Sequence, residues 1–254
     1  MEIRRVSVTD AELLEDGWLV RGAGVRRMRR VLRLRPSDVV DLLIPGKGLY
    51  RVRLVGYAGR EEAVVQTIQR LPTVDPKRLL TLVMPPLKHE KIDEVLRRGV
   101  ELGLSRYIPL EAERAVVHID PSRWSRRVQR WQRIVQESLE SSGCSRRFII
   151  EAPMDLAGVL AAAPSEAVVM APVEPRRGIA EISIWAWVQE QTAGPAIPDA
   201  IYLLLGPEGG WSDREIKLIR ERVVCVHLGR RTLRSVTAAL AAMAHLAPLL
   251  DPPP

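Results

Sequence analysis

Two glycine-containing loops hold the pattern most able to do chemistry: "LGPEGGWS" (205–212) and "LGRRTLRS" (228–235). Each follows an apolar run, "IYLLL" and "VVCVHL", and such a run ending abruptly at glycine reads as a buried strand. Glycine and proline permit unusual backbone angles and leave N–H and C=O groups uncovered. Ser212 and Glu215 have the S-x-x-E spacing of a capping box, so a helix opens directly after the first loop. A strand end, a bare-backbone loop and a helix N-terminus form a place where a small molecule can be held by backbone donors and acceptors. A tight strand-to-helix turn with nothing bound has the same local pattern. Ligands of open α/β sheets sit beyond the carboxyl ends of the strands, so both loops point to one site. There is no G-x-x-x-x-G-K-[ST], no G-x-G-x-x-G and no G-x-S-x-G, so a Walker loop, an ordinary dinucleotide site and a serine hydrolase elbow are unsupported.

The second chemical signal is arginine. Between Arg21 and Arg35 stand seven arginines and no acid: Arg21, Arg26, Arg27, Arg29, Arg30, Arg33 and Arg35. A second cluster, "RWSRRVQRWQR", runs from Arg123 to Arg133, and the whole chain has a formal charge of +7. The planar guanidinium can bond two phosphate oxygens at once, and clusters of it are a common footprint of nucleic-acid binding. A solvated surface of an arginine-rich protein would look the same. The two cysteines, Cys144 and Cys225, have no paired spacing, and the four histidines lie at no metal-ligand spacing. No run approaches the roughly 20 apolar residues of a membrane helix, and "MEIRRVSVTD" is charged where a signal peptide needs an apolar core. A reduced, cytoplasmic, metal-free protein with no membrane association is expected.

These groups need a scaffold, and the patterning supplies one. Residues 1–72 read as β-rich: "DVVDLLI" (38–44) and "LYRVRLVGYA" (49–58) flank the hairpin signal "PGKG", and "EAVVQTIQRL" (62–71) resumes the alternation. "PTVDPKR" is a linker by composition. From Leu79 onward, strands alternate with helices. "LLTLVM", "RYIPL" (106–110), "AVVMA" (167–171) and the two loop-bearing runs are strands, while a helix starting at "KHEKIDEVLRRGVELG" buries Ile92, Val95, Leu96, Gly99 and Leu102. A helix over 121–143 places Trp124, Val128, Trp131, Val135 and Leu139 on one stripe, with arginines on the other faces. A tryptophan stripe at that spacing is expected to be core. The helix 235–250 is alanine-rich and suited to close packing. The expected fold class is α/β: a small β-domain, then a parallel sheet covered on both faces.

On these residues the chain resembles a known family. "LLLGPEGGWSDREI" with "LGRRTLRSVTAALAAMA" resembles the paired C-terminal signature of the RsmE family, bacterial small-subunit ribosomal RNA uracil-N3 methyltransferases of the SPOUT class. "KHEKIDEVLRRGVELGLSRYIPLEAERAVV", "RWQRIVQESLESSGCSR" and "VLRLRPSD" resemble its other segments, in the family's order and over nearly the whole chain. The resemblance implies a PUA-like RNA-binding β-barrel (1–72) before a SPOUT methyltransferase domain with a deep trefoil knot (75–254). It implies a homodimer packed through the knot domain, acting on 16S ribosomal RNA or the small ribosomal subunit with S-adenosylmethionine as cofactor. The cofactor would lie against Leu205, Gly206, Pro207, Glu208, Gly209 and Gly210 on one side. Leu228, Gly229, Leu233, Arg234, Ser235 and Thr237 would hold the other. RNA contacts fall to Arg26, Arg27, Arg29, Arg30, Arg33, Lys88, Lys91 and Arg114.

The implied reaction is attack of uracil N3 on a sulfonium methyl. N3 must lose its proton, and a cation beside the base favours the anion; Arg234 is the candidate, with tethering of the loop as its other possible role. Two positions depart from the family pattern: Val236 stands where an acid is usual in R-T-E-T-A, and Cys144 follows Gly143 where Q-S-G-R is usual. With these departures goes a second reading, an RNA-binding or ribosome-associated protein of the same fold whose chemistry is lost or redirected.

Overall fold

The computed structural model describes residues 4–174, 182–194 and 197–251. The chain forms two compact units, Met1–Asp75 with Gln136–Arg147, and Pro76–Val135 with Phe148–Pro254.

The first unit is a curled six-stranded sheet. Its strands are β1 (Arg5–Ser7), β2 (Asp10–Leu14), β3 (Gly17–Arg21), β4 (Val39–Ile44), β5 (Gly48–Tyr57) and β6 (Glu62–Leu71), in the order β1-β4-β5-β6-β3-β2. All neighbours are antiparallel except β1 and β4. The hairpin at "PGKG" closes with Lys47 N–H donating to the Ile44 carbonyl at 2.9 Å. Two register shifts in β5, at Arg51/Val52 and Leu54/Gly56, bend the strand. The sheet wraps one core, to which β1, β3, β4, β5 and β6 contribute Val6, Trp18, Leu42, Val52 and Val65. A helix not anticipated from the sequence, α1 (Ala23–Arg30), plugs this core with Val25 and Met28 and leaves Arg26, Arg27, Arg29 and Arg30 outside. Four arginines around so short an apolar stripe hide its period.

Cys144 belongs to this unit and is buried. Its thiol donates to Asp75 Oδ1 at 3.2 Å, and the same carboxylate accepts the Ser145 and Arg146 amides and the Ser145 hydroxyl, each at 2.6 Å. Burial pushes the Cys144 thiol up to about 12. Burial also works against the Asp75 carboxylate, but these donors and Thr73 outweigh it and hold its pKa below the ordinary value.

The second unit is a seven-stranded, all-parallel sheet. It contains β7 (Leu79–Met84), β8 (Leu104–Pro109), β9 (Ile149–Ile150), β10 (Val168–Pro172), β11 (Ile182–Ser183), β12 (Ala200–Leu204) and β13 (Val224–His227), in the order β11-β13-β10-β12-β7-β8-β9. Chain order reverses beside β7: β8 and β9 lie on one side, β12, β10 and β13 on the other. The helices are α2 (Lys91–Glu101), α3 (Pro121–Ser142, whose residues from Gln136 onward belong to the first unit), α4 (Leu156–Ala162), α5 (Ile184–Ala193), α6 (Asp213–Arg222) and α7 (Ser235–Leu250). Every residue of β12 is buried, as a strand covered on both faces requires. Tyr202 and Leu204 pack with Leu156 and Val159 of α4 and Ile219 of α6.

Helix α2 starts three residues later than its periodicity predicts. His89 and Glu90 are left-handed (φ 53° and 59°), so Lys88–Glu90 forms a separate 3-10 turn. The tryptophan stripe of α3 points inward: Trp131 meets Tyr107 edge-on at 5.4 Å and Trp124 at 5.8 Å. Helices α4 and α5 and the two-residue strands β9 and β11 are not anticipated; each is too short to show a period. No described helix is long and apolar enough to cross a membrane.

Within α7, Ala242 is wholly buried by its own chain, whereas Ala241 is half-buried. Ala242→Leu is expected to overpack this region at a cost of about 1–3 kcal/mol, with a smaller effect at Ala241. Chemical denaturation of both variants checks this; equal stability of Ala242→Leu and the parent would contradict the close packing of α7.

Candidate active site

Because every ladder of the second sheet is parallel, the carboxyl ends of its strands share one edge. Both glycine loops leave from it. The first is fixed from behind: Leu205 N–H donates to the Val83 carbonyl at 2.8 Å, and Gly210 N–H closes a turn on Pro207 at 2.9 Å. Ser212 and Glu215 form the predicted capping box, with Ser212 N–H on Glu215 Oε2 at 2.8 Å and Glu215 N–H on Ser212 Oγ at 3.2 Å. The other Glu215 oxygen accepts Glu113 N–H at 3.0 Å, which ties the loop after β8 to the loop after β12.

Two glycines of this loop are required by close approach inside the protein. A Cβ on Gly206 would stand 2.9 Å from the Trp211 indole, and one on Gly209 would stand 2.7 Å from the Arg114 carbonyl oxygen. Arg114 in turn donates to the Trp211 carbonyl at 3.2 Å. Trp211 and Arg114 therefore shape the GPEGG loop.

The second loop opens onto space. Leu228, Gly229, Arg231 and Leu233 join Pro172, Val173 and Glu174 from the end of β10 and Ala238 of α7 around a cleft of about 420 Å³, including its open mouth. Gly229 has φ +105° and nothing within 4 Å of where a Cβ would stand. The walls at Pro172, Val173, Leu228 and Leu233 are apolar. At the N-terminus of α7 no side chain caps the helix, and the N-cap residue, Arg234, is exposed.

Of the residues predicted for the cofactor, the cleft gathers Leu228, Gly229 and Leu233. Arg234, Ser235 and Thr237 stand at the start of α7, next to the lining residue Ala238. Leu205, Gly206, Pro207, Glu208, Gly209 and Gly210 form the neighbouring loop after β12 and do not line this cleft. Sequence reasoning missed Pro172, Val173 and Glu174. Their signal was available, since they follow a predicted strand, but choosing β10 over its neighbours needs the strand order.

The predicted RNA contacts are spread over both units. In the first, Arg26 pairs with Glu61, Arg27 pairs with Glu140 at 2.7 Å, and Arg29 donates to the Gly59 carbonyl at 2.8 Å while covering the Tyr57 ring. Arg30 and Arg33 are exposed and have no side-chain partner among the described residues. In the second, Lys88 and Lys91 are exposed at the loop after β7. Among the described residues no group of three or more His, Cys, Asp or Glu is placed to hold a metal.

With this geometry in hand, comparison with known proteins is informative. Residues 75–247 match the RNA methyltransferase domain family. The ribosomal RNA small subunit methyltransferase E of Synechocystis is 29% identical over 252 residues, covering 97% of this chain and 78% of that one. Its Bacillus subtilis namesake is 30% identical over 165 residues, 61% of this chain and 60% of that one. The crystal structure of a ribosomal RNA small subunit methyltransferase E from Neisseria gonorrhoeae bound to S-adenosyl methionine superposes with a TM-score of 0.79 at 26% identity, covering 98% of each chain. The strand order, the two loops at the carboxyl edge and these likenesses agree: the chain belongs to the RNA methyltransferase family, among the ribosomal RNA small subunit methyltransferases E.

Proposed function

We propose that this protein transfers the methyl group of S-adenosylmethionine to N3 of a uridine in 16S ribosomal RNA, acting as a homodimer packed through its second, knotted unit. The observation that carries the reading is the cleft between β10, the 228–234 loop and α7, in a chain of this family. The residues fit the cofactor: apolar walls suit an adenine, the open space at Gly229 admits a ligand against bare backbone, and the uncapped start of α7 offers unpaired N–H donors. Leu228, Gly229 and Leu233, with Pro172 and Val173, would hold it. When bound, the cofactor supplies an electrophilic sulfonium methyl.

The chain's own residues do the rest. Fixing both reactants in line removes much of the entropic barrier. Arg234, at the N-cap of α7, places a permanent cation where the base would enter. Its charge lowers the pKa of uracil N3–H and stabilises the anion that attacks. Nucleoside analysis of small-subunit RNA from cells with and without the protein tests the reading. N3-methyluridine is expected to disappear without it; an unchanged nucleoside profile would defeat the proposal.

The first unit is proposed to hold RNA through phosphates. Of the five arginines predicted there, Arg30 and Arg33 have no side-chain partner among the described residues, while Arg26, Arg27 and Arg29 are partly engaged within the protein. Long cations without a fixed partner supply charge and little base code. Replacing Arg30 and Arg33 with alanine is expected to weaken RNA binding and to flatten the plot of log affinity against log salt by about 1.4–1.8. S-adenosylmethionine affinity should not change. A parental salt slope in this double variant would leave the two arginines as a solvated face.

A further inference from the structure

The exposed face of α3 is built against the interests of the helix. Its N-terminal half carries Arg123, Arg126, Arg127, Arg130 and Arg133 with no acid among them, and its acids, Glu137 and Glu140, come in the C-terminal half. Cations near a helix N-terminus oppose the macrodipole, and like charges three or four residues apart destabilise a helix. An ordinary solvated helix interleaves opposite charges. Arg123, Arg126, Arg130 and Arg133 follow an i, i+3, i+7, i+10 spacing and so share one stripe. At 1.5 Å per residue the stripe is about 15 Å long, the rise of about four nucleotides along one strand of a duplex.

Two members are already engaged: Arg123 pairs through its Nε with Asp120, just before the helix, at 3.4 Å, and Arg130 is held by two acids of the neighbouring turn and helix. Arg130 forks onto both oxygens of Glu90, and its Nε donates to Asp93 Oδ2 at 2.8 Å. Asp93 also accepts from the Trp131 indole at 3.2 Å. These bonds pin α3 to the left-handed His89–Glu90 turn, the one that carries Lys88 and precedes Lys91. The turn starts from the carboxyl end of β7, at the same sheet edge as the cleft. Arg126 is exposed and has no partner among the described residues; Arg133 is exposed and makes only a 3.5 Å contact to the Gln129 carbonyl of its own helix.

We infer that the α3 stripe, led by Arg126 and Arg133 and continued by Lys88 and Lys91, is a phosphate-tracking surface for the RNA that flanks the target base. The inference rests on the RNA-methyltransferase reading above. The brace from Arg130 to Glu90 is its positioning element: it spends one arginine of the stripe to fix the others beside the lysine turn. An RNA backbone laid there neutralises the charges whose mutual repulsion the helix otherwise bears.

Filter binding of the full-length protein to an unmodified transcript of small-subunit ribosomal RNA, over a salt series, tests the inference. Arg126→Ala with Arg133→Ala is expected to bind at least tenfold more weakly, with a slope of log affinity against log salt reduced by about 1.4–1.8. The single variants should each lose about half of that slope change, and Arg126→Lys with Arg133→Lys should keep the parental slope. Melting temperature should stay level or rise, because two like charges are gone. Parental affinity and slope in the double and single alanine variants would overturn the inference. Transfer of labelled methyl from S-adenosylmethionine to the transcript by the parent separates the two claims. A parent that transfers none defeats the methyltransferase reading, whereas an active parent whose alanine variants bind normally defeats only the α3 surface.

Discussion

Arg234→Ala is expected to lower the rate of methyl transfer by about 10²–10³-fold, the usual effect of removing one preorganised charge from a transition state. The fold should not suffer. Arg234 makes no side-chain cap, is exposed, and has no side-chain partner among the described residues; only its backbone carbonyl is used, accepting Ala238 N–H at 2.8 Å. A role in tying the loop down would need a bond that is absent there. The pH dependence carries the sharper signature. A cation beside the base lowers the pKa of N3–H, so removing it moves the rising limb of the rate profile to higher pH. Arg234→Lys keeps the charge and should recover part of the rate. An alanine variant with parental kcat would remove Arg234 from the chemistry, and one that loses activity together with heat stability would make it structural.

Ala238→Leu addresses the cofactor. Ala238 lines the cleft from the first turn of α7 and is half-buried. Leucine is nearly as good a helix former as alanine, so the helix has no reason to fray. The added atoms would occupy cleft volume instead. Overpacking of about 1–3 kcal/mol corresponds to a loss of about 5- to 150-fold in S-adenosylmethionine affinity. Titration calorimetry of parent and variant measures it. Parental affinity in Ala238→Leu would move the cofactor away from the 228–234 loop and toward the 205–212 loop.

What could be read from the sequence was local. The passage from β12 through the GPEGG loop into α6 is written in consecutive residues: an apolar run, glycines and a proline, then the Ser212–Glu215 box. So is the long stripe of α3, whose period survives the arginines around it. The reason that 206 and 209 are glycines was not legible. Their crowding partners are an indole five residues on and a backbone carbonyl at Arg114, and only folding brings the latter near. The cleft was half legible for the same reason. Leu228, Gly229 and Leu233 follow a recognisable strand, but the opposite wall at Pro172–Glu174 depends on β10 lying beside β13, where Pro172 pairs with Val226. Helix α1 was lost because two buried side chains among four arginines give too weak a period to see.

The Asp75 hub has a bearing on oxidation. Peroxide attack and disulfide exchange both proceed through the thiolate. With its pKa pushed to about 12 by burial, Cys144 at neutral pH is ionised in only about one molecule in 10⁵. Burial raises Cys225 as well, and both cysteines are free of any disulfide. Cys144 in the native protein is therefore expected to pass through an oxidative episode reduced, since its damage must wait for the hub to open. A maleimide or iodoacetamide probe should label Cys144 rapidly in the urea-unfolded chain and spare it in the native one, and rapid labelling of Cys144 in the native state would mean that the hub opens on its own.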